Sequence, residues 1–357
     1  MLLSIFLFNL LLFALSLINS LTIRRPLKSK LIEDSIVVLL PVRNEEENIE
    51  RIIGELISQR NCPNLSIYIL NDSSTDRTRD LAQSFSAPQL TILDVPEPAH
   101  GWIGKVNALN FGLSQITDVP DYIVSIDADV SFSNEAIADS VATIKAINLD
   151  FLSPYPRQIA KTWAERLIQP LLQWSWMSTL FLRAAEKFPF QSTVVCNGQF
   201  LVMKHSSLIT SGGFASVSSN VLDDIELGRT FVRTGFKGAV IDGSKIASTR
   251  MYASFDQVRK GYGKSLHLAF GGIVGSLFAS LFMIATSIVP LVFAFTGNIF
   301  AVGALLAIIG TRFASALSSS SKIRDCFLHP LSAALLIYLL YYSWRNKSAA
   351  QWKGRTL

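Results

Sequence analysis

Residues 122–130 read YIVSIDADV: a short apolar, β-prone run arrives at two carboxylates, Asp127 and Asp129, one residue apart. A strand repeats every two residues, so this spacing can direct both acids to one side. Paired carboxylates at the end of a rigid element offer oxygen ligands to a hard divalent cation. The same letters also suit an ordinary turn, where Asp is common. The surrounding chain has to decide.

Upstream, residues 35–40 (SIVVLL) form the continuous apolar run of a strand buried on both faces, ended by Pro41, Val42, Arg43 and Asn44. Asn44 with Glu47 reads as a helix start, and Ile49, Ile52, Ile53, Leu56 and Ile57 then recur at helical spacing. A second unit begins at 65–70 (LSIYIL) and breaks at 71–76, where Ser73 with Asp76 can open a helix. A third short strand, 90–93, leads through a loop rich in Pro, Gly and His to a helix opened by Lys105. This alternation predicts an α/β fold, a mostly parallel sheet with helices on both faces. Ligands of such sheets bind beyond the carboxyl ends of the strands, where Asp72, Asp127 and Asp129 all fall. Three acids on one edge repel each other until a cation or a donor-rich ligand joins them. A nucleotide with a bound metal supplies both.

Half of the 357 residues are hydrophobic, too many for a soluble globule alone. They gather at 2–21 and again from 266 onward, leaving a middle of ordinary composition. Residues 2–21 have the length to cross a bilayer, and Arg24, Arg25, Lys28 and Lys30 follow at once. A secretory signal carries its charges before the apolar run, not after it. By the positive-inside rule, residues 1–22 are an uncleaved anchor in the cell inner membrane or its equivalent, and residues 34–265 are a domain on the cytoplasmic side. The net charge of +5 is met by basic residues facing anionic lipid, with no nucleic-acid partner. Cys62, Cys196 and Cys326 lie far apart and read as reduced thiols.

Residues 163–182 carry three Trp and read as an interfacial helix that brings the site to the bilayer surface. Residues 266–343 are membrane segments: two spans within 266–310, turning at Thr296, Gly297 and Asn298, and a shorter run at 328–342. Residues 344–357 are a basic tail. Four full spans would put Arg345, Lys347, Lys353 and Arg355 opposite the catalytic domain, against the positive-inside rule. Either the last run is re-entrant or interfacial, or the long apolar block is not two full spans.

With PVRNEEEN (41–48), NDSSTD (71–76), GWIGK (101–105), DAD (127–129), NGQF (197–200), LDDIELGR (222–229) and VRKGYGKS (258–265) in this order, the chain resembles family 2 glycosyltransferases with a GT-A fold. Within that family it is similar to the membrane-bound lipid glycosyltransferases of carotenoid and hopanoid biosynthesis, relatives of ceramide glucosyltransferase. The resemblance implies inverting transfer of a hexose, with UDP-glucose as the expected donor, onto a hydroxyl of a membrane lipid such as a carotenoid or hopanoid. It implies Mg²⁺ or Mn²⁺ as cofactor, with Asp129 as the metal ligand and Asp127 beside it facing the ribose. Pro41, Arg43, Glu45, Asp72, Lys105, Lys260 and Lys264 would form the donor side, and Gly198, Gln199 and Trp102 the acceptor side. Asp224, paired with Asp223, matches the base that takes the acceptor proton as its oxygen attacks C1. The family pair is usually Glu-Asp, so Asp223 is a departure that leaves open which carboxylate leads. Processive relatives carry Q-x-x-R-W where this chain has Gln257, Lys260 and Gly261, which argues against a polysaccharide synthase. The same strand-end carboxylates would also serve a polyprenyl-phosphate sugar synthase, whose acceptor is already an anion, or a non-catalytic nucleotide-binding scaffold in the membrane.

Overall fold

The computed structural model describes residues 1–346 together with 351–352 and 355–356, so Lys347 and Lys353 of the basic tail lie outside the described residues. The strands that build the catalytic domain are β1 (Ile36–Val42), β2 (Leu65–Asn71), β3 (Leu90–Asp94), β4 (Tyr122–Ile126), β5 (Val130–Phe132), β6 (Phe151–Tyr155), β7 (Arg157–Gln158), β8 (Phe200–Lys204), β9 (Gly238–Asp242) and β10 (Ala247–Thr249). Seven of them form one sheet in the order β3-β2-β1-β4-β8-β6-β9, and β5, β10 and β7 form a small second sheet. β1 lies parallel to both β2 and β4, and β2 to β3, because the helices Ile49–Ile57, Thr78–Gln83 and Gly104–Ser114 supply the crossovers. In the large sheet only β8 runs against its neighbours.

β1 is buried along its whole length, and its alternate residues feed two cores. Ile36, Val38, Leu40 and Val42 join Ile49, Ile52, Ile53 and Leu56 on one face. Val37 and Leu39 join Val106 and Leu109 on the other. Each such burial contributes roughly 1.5–3 kcal/mol, which fixes the strand ends where the acids emerge.

Three local expectations fail for a common reason. Asn44 does not cap a helix: it takes a positive φ of 53° and its side-chain oxygen accepts from the Thr75 N–H at 2.8 Å, tying the loops after β1 and β2 together. Ser73 likewise sits at φ 50°, and the helix there starts only at Thr78, with Asp76 accepting from the Thr78 N–H at 3.0 Å. β4 ends at Ile126, so Asp127 and Asp129 lie in a tight turn rather than on a strand, closed by a bond from the Val130 N–H to the Asp127 carbonyl at 3.3 Å. In each case local hydrogen bonds at the sheet edge replace regular helix or strand.

Among the described residues, four helices are long and apolar enough to cross a membrane: Leu2–Thr22, Ile273–Ala294, Ile299–Ser319 and Ile323–Arg345. The first and third run side by side in one direction, Phe6 against Gly303 and Phe13 against Gly310. Asn9 stitches them to the second, donating to the carbonyls of Thr286 and Ala304 at 2.8 and 2.9 Å. The fourth behaves differently. Ser320, just before it, lies 3.3 Å from Ser244 of the catalytic domain. After a 3₁₀ stretch, Ile323–Leu328, helix His329–Arg345 begins with His329 3.1 Å from the Ser287 hydroxyl, well inside the second span. It ends with Trp344 donating to Ser276, in that span's first turn, at 3.0 Å, and Ser343 donating to the Gly263 carbonyl at 2.7 Å. This geometry carries the fourth helix back to the side from which it came, beside the catalytic domain, and Arg345 with it.

Helix Trp163–Thr179 is not a surface helix. Trp174 and Trp176 are buried, the former donating to Thr311 at 2.6 Å, and Trp163 alone of the three is largely exposed. Asn19 donates to the carbonyls of Met177 and Leu180, docking the helix's end onto the first membrane helix.

The path of the fourth helix can be tested by labelling. The three native cysteines are buried, so cysteines introduced at exposed sites can be read with an impermeant maleimide. Arg345→Cys is expected to label from the same side as Ser84→Cys in the catalytic domain, and Thr296→Cys from the other. Labelling of Arg345→Cys together with Thr296→Cys would overturn the re-entrant path.

Candidate active site

The carboxyl ends of β1 and β4, the end of β10 and the start of helix Phe255–Ala269 surround one large cleft. Its lining includes Pro41, Arg43, Glu45, Lys105, Asp127, Asp129, Asp223, Lys260 and Lys264. Most of the expected donor side is therefore together in one place.

Lys105 organises the floor. Its Nζ lies 2.7 Å from Asp127 Oδ1, and it also faces Asp223 and Asp224. Burial opposes its charge, but the surrounding carboxylates outweigh burial and hold the ammonium above the ordinary lysine range. Gly198 makes the arrangement possible: a Cβ there would come within 3.1 Å of Lys105 Nζ and 3.4 Å of Asp224 Oδ2. Its N–H donates to Asp224 Oδ2 at 2.7 Å, while the Ile225 N–H donates to Oδ1 at 2.8 Å. Burial raises both acids of the pair. Asp223 reaches about 6, with Lys105 opposing the rise and Asp224 and Asp127 adding to it. Asp224 is raised as well, against Lys105 and its two N–H donors.

Asp129 is also lifted to about 6, first by burial and then by repulsion from Asp127 and Glu45. Thr249 on β10 donates to its Oδ2 at 3.2 Å. Such a set fits a divalent cation, whose charge reverses the repulsion. Among the described residues no three His, Cys, Asp or Glu side chains are arranged to hold an ion by themselves. That suits a hard cation completing its shell from ligand oxygens and water. Asp129 and Asp127 would hold it.

Two supports have no counterpart among the sequence motifs. Arg51, on helix Ile49–Ile57, clamps the acidic turn by donating to the carbonyls of Val130 and Ala128 at 2.8 and 3.0 Å. A lone basic residue on an amphipathic helix gives no signal of such a role. Arg250, after β10, lines the cleft and donates to the buried Glu165 at 2.8 Å, and Glu165 in turn caps helix Trp163–Thr179 through the Thr162 N–H. The cleft wall is thus tied to the membrane-facing helices.

Other expected site residues lie elsewhere. Asp72 is fully buried beneath Arg43, whose Nη1 donates to the Asp72 carbonyl at 2.6 Å. Gln199 is buried as a strut: its Oε1 accepts from Gln158 and Asn197, and its carbonyl accepts the Asp127 N–H at 3.2 Å. Trp102 is half-buried against the core that includes Val106 and Phe214, not in the cleft lining. Lys260 reaches the cleft while paired to Asp256 at 2.7 Å. Gln257 accepts the Ala253 N–H and donates its own N–H to Ser254, so it caps its helix. Gly261, where processive relatives carry Trp, is overlain by Tyr252, whose ring and hydroxyl would overlap a Cβ there.

The family model for glycosyl transferase family 2 matches residues 37–212. A 4,4'-diaponeurosporenoate glycosyltransferase of Staphylococcus aureus (strain MRSA252) is 24% identical over 356 residues, covering 93% of this chain and 91% of that protein. One from Staphylococcus haemolyticus is 29% identical over 247 residues, 66% of this chain and 62% of that protein. Among solved structures, the mannosyltransferase PcManGT from Pyrobaculum calidifontis, in complex with GDP-Man and Mn²⁺, superposes with a TM-score of 0.53 over 97% of this chain and 99% of its own, at 14% identity. At that identity the likeness is one of fold, and the fold is GT-A.

The Tyr252 contact is testable. Gly261→Ala is expected to lower the thermal midpoint and to be rescued by Tyr252→Ala, because the added methyl meets the ring itself. Rescue by Tyr252→Phe to the same extent would show that the hydroxyl alone is the obstacle.

Proposed function

We propose that this chain, which belongs to glycosyltransferase family 2, moves a hexose from a nucleoside-diphosphate sugar to a lipid held at the membrane surface. The observation that carries this reading is the convergence of Lys105, Asp127, Asp129 and Asp223 in one cleft walled by residues tied to membrane helices. The carotenoid glycosyltransferases that match along nearly the whole chain support a carotenoid-type acceptor. UDP-glucose is the donor we propose. The re-entrant path puts Arg345 with the catalytic domain, and together with Arg24 and Arg25 it supports a cytoplasmic face for that domain.

A divalent ion bound with the diphosphate at Asp129 and Asp127 would offset charge on the leaving group. Lys105 holds Asp127 and, with Lys260 and Lys264 on the cleft wall, adds positive charge where the diphosphate departs. Asp224 takes the acceptor proton, and the Gly198 and Ile225 N–H groups hold its carboxylate in place. Attack from the face opposite the diphosphate inverts the configuration at C1.

The staphylococcal relatives are named for a carboxylate, and a carboxylate acceptor is already an anion that needs no base. Asp224→Asn separates the two chemistries. A hydroxyl acceptor requires loss of transfer of about 10²-fold or more with donor binding kept, whereas a carboxylate acceptor leaves transfer near wild type.

The direct test is to incubate membranes containing the protein with labelled UDP-glucose, UDP-GlcNAc and GDP-mannose and to identify the labelled lipid. Label from UDP-glucose in an extractable lipid is expected, and none from any donor would sink the reading. A pH profile adds a check. Because burial raises Asp224, its base form is lost at a higher pH than for an ordinary carboxylate as pH falls. The rate is expected to drop on the acid side above the ordinary carboxylate range. A flat profile between about pH 5 and 8 would contradict a base from this pair.

A further inference from the structure

Away from the cleft, Arg312 sits in the third membrane helix, Ile299–Ser319, with only 2% of its surface exposed. By helical rise it lies roughly 10 Å inside the helix end that adjoins the catalytic domain. Its Nη1 is fully buried and has no hydrogen-bond partner. It lines a narrow pocket of about 10 Å³ between Pro170 of helix Trp163–Thr179, Ser315 and Ser319 of its own helix, and Ser321, Lys322 and Asp325 of the re-entrant hairpin.

The acid in this lining, Asp325, is already engaged. Arg166 donates to both of its oxygens, from Nε at 3.0 and 3.1 Å and again from Nη2. Asp325 also attracts Arg312, but three cations, Arg166, Arg312 and Lys322, then share this one acid, and the pocket edged by serine hydroxyls keeps an excess of positive charge. A guanidinium held in a dry interior without an anion is strongly unfavourable, and an ionisable group inside a membrane helix calls for a partner. Guanidinium matches phosphate oxygens in geometry and charge. Exposed Lys322 at the rim gives a route in from the level of the headgroups.

We propose that this pocket takes one oxygen of a phosphate group seated at its mouth beside Lys322, that of an anionic phospholipid on the catalytic-domain side of the membrane. The anion completes the charge set that Arg166, Asp325, Arg312 and Lys322 leave unbalanced. It thereby fastens the re-entrant hairpin to helix Trp163–Thr179, and so to the Glu165–Arg250 pair at the cleft wall.

The test uses the full chain in uncharged detergent micelles, with the thermal midpoint and native mass spectrometry as readouts. Added phosphatidylglycerol is expected to raise the midpoint by roughly 3–6 °C and to leave one retained lipid per chain. Inorganic phosphate, compared with chloride at equal ionic strength, is the second arm. A shift with inorganic phosphate but none with phosphatidylglycerol would overturn the lipid source and leave free phosphate as the occupant. Arg312→Met is expected to fold, to match or exceed the wild-type midpoint without additive, and to lose the shift. Lys322→Gln is expected to weaken it, and Arg324→Gln, an exposed cation outside the pocket, to keep it. No shift with either probe in the wild type, or an undiminished shift in Arg312→Met, would overturn the proposal.

Discussion

A single ammonium set among carboxylates governs the cleft. Lys105 meets Asp127 at 2.7 Å and faces Asp223 and Asp224, while Glu45 and Asp129 crowd the same space. One lysine cannot balance so many acids, and burial sharpens the imbalance because repulsion is stronger where water is scarce. The acids at 129 and 223 are raised first by burial and then by repulsion from their acidic neighbours. The floor around Lys105 is therefore short of positive charge, although Arg43, Arg51, Arg250, Lys260 and Lys264 line the cleft beyond it, and a divalent cation arriving with a diphosphate would supply it. Burial likewise makes Asp224, the base we propose, readier to hold a proton than an ordinary carboxylate.

The rest of the catalytic domain serves to hold these groups still. β1 and β4 are buried on both faces, so their ends cannot shift without disturbing two cores at once. Arg51 pins the carbonyls of the acidic turn, Gln199 accepts the Asp127 N–H, and Gly198 leaves the gap in which Lys105 and Asp224 meet. Through Arg250 and Glu165 the wall continues into the helix that docks on the membrane segments. Direct contacts thus join the cleft to the long apolar helices.

Much of this was legible in the sequence, because continuous apolar runs and helical periodicity report burial directly. The strands at 36–42, 65–71 and 122–126 fall within two residues of their apolar runs. Acids gathered at strand ends identified the edge that matters. What escaped depends on through-space partners. The resemblance put Gln199 on the acceptor side, yet it is buried, with its side-chain oxygen accepting from Gln158 and Asn197 and its carbonyl holding the acidic turn. Asn44 and Ser73 looked like helix caps, but two loops brought together by parallel pairing gave them closer partners. Apolar length alone could not tell a span from a hairpin that turns back. The clash of Arg345 with the positive-inside rule was the one signal that it does. Tyr252 gave no signal at all, since its role is to fill the volume that Gly261 leaves.

If the cleft lacks positive charge until a metal and a diphosphate enter together, each should depend on the other for binding. Calorimetry of UDP with and without Mn²⁺, on the wild type and on Asp129→Asn, measures that dependence. Mn²⁺ is expected to tighten UDP binding to the wild type by about tenfold or more and to make little difference in the variant. Equal affinity with and without the metal in the wild type would contradict a charge-starved cleft.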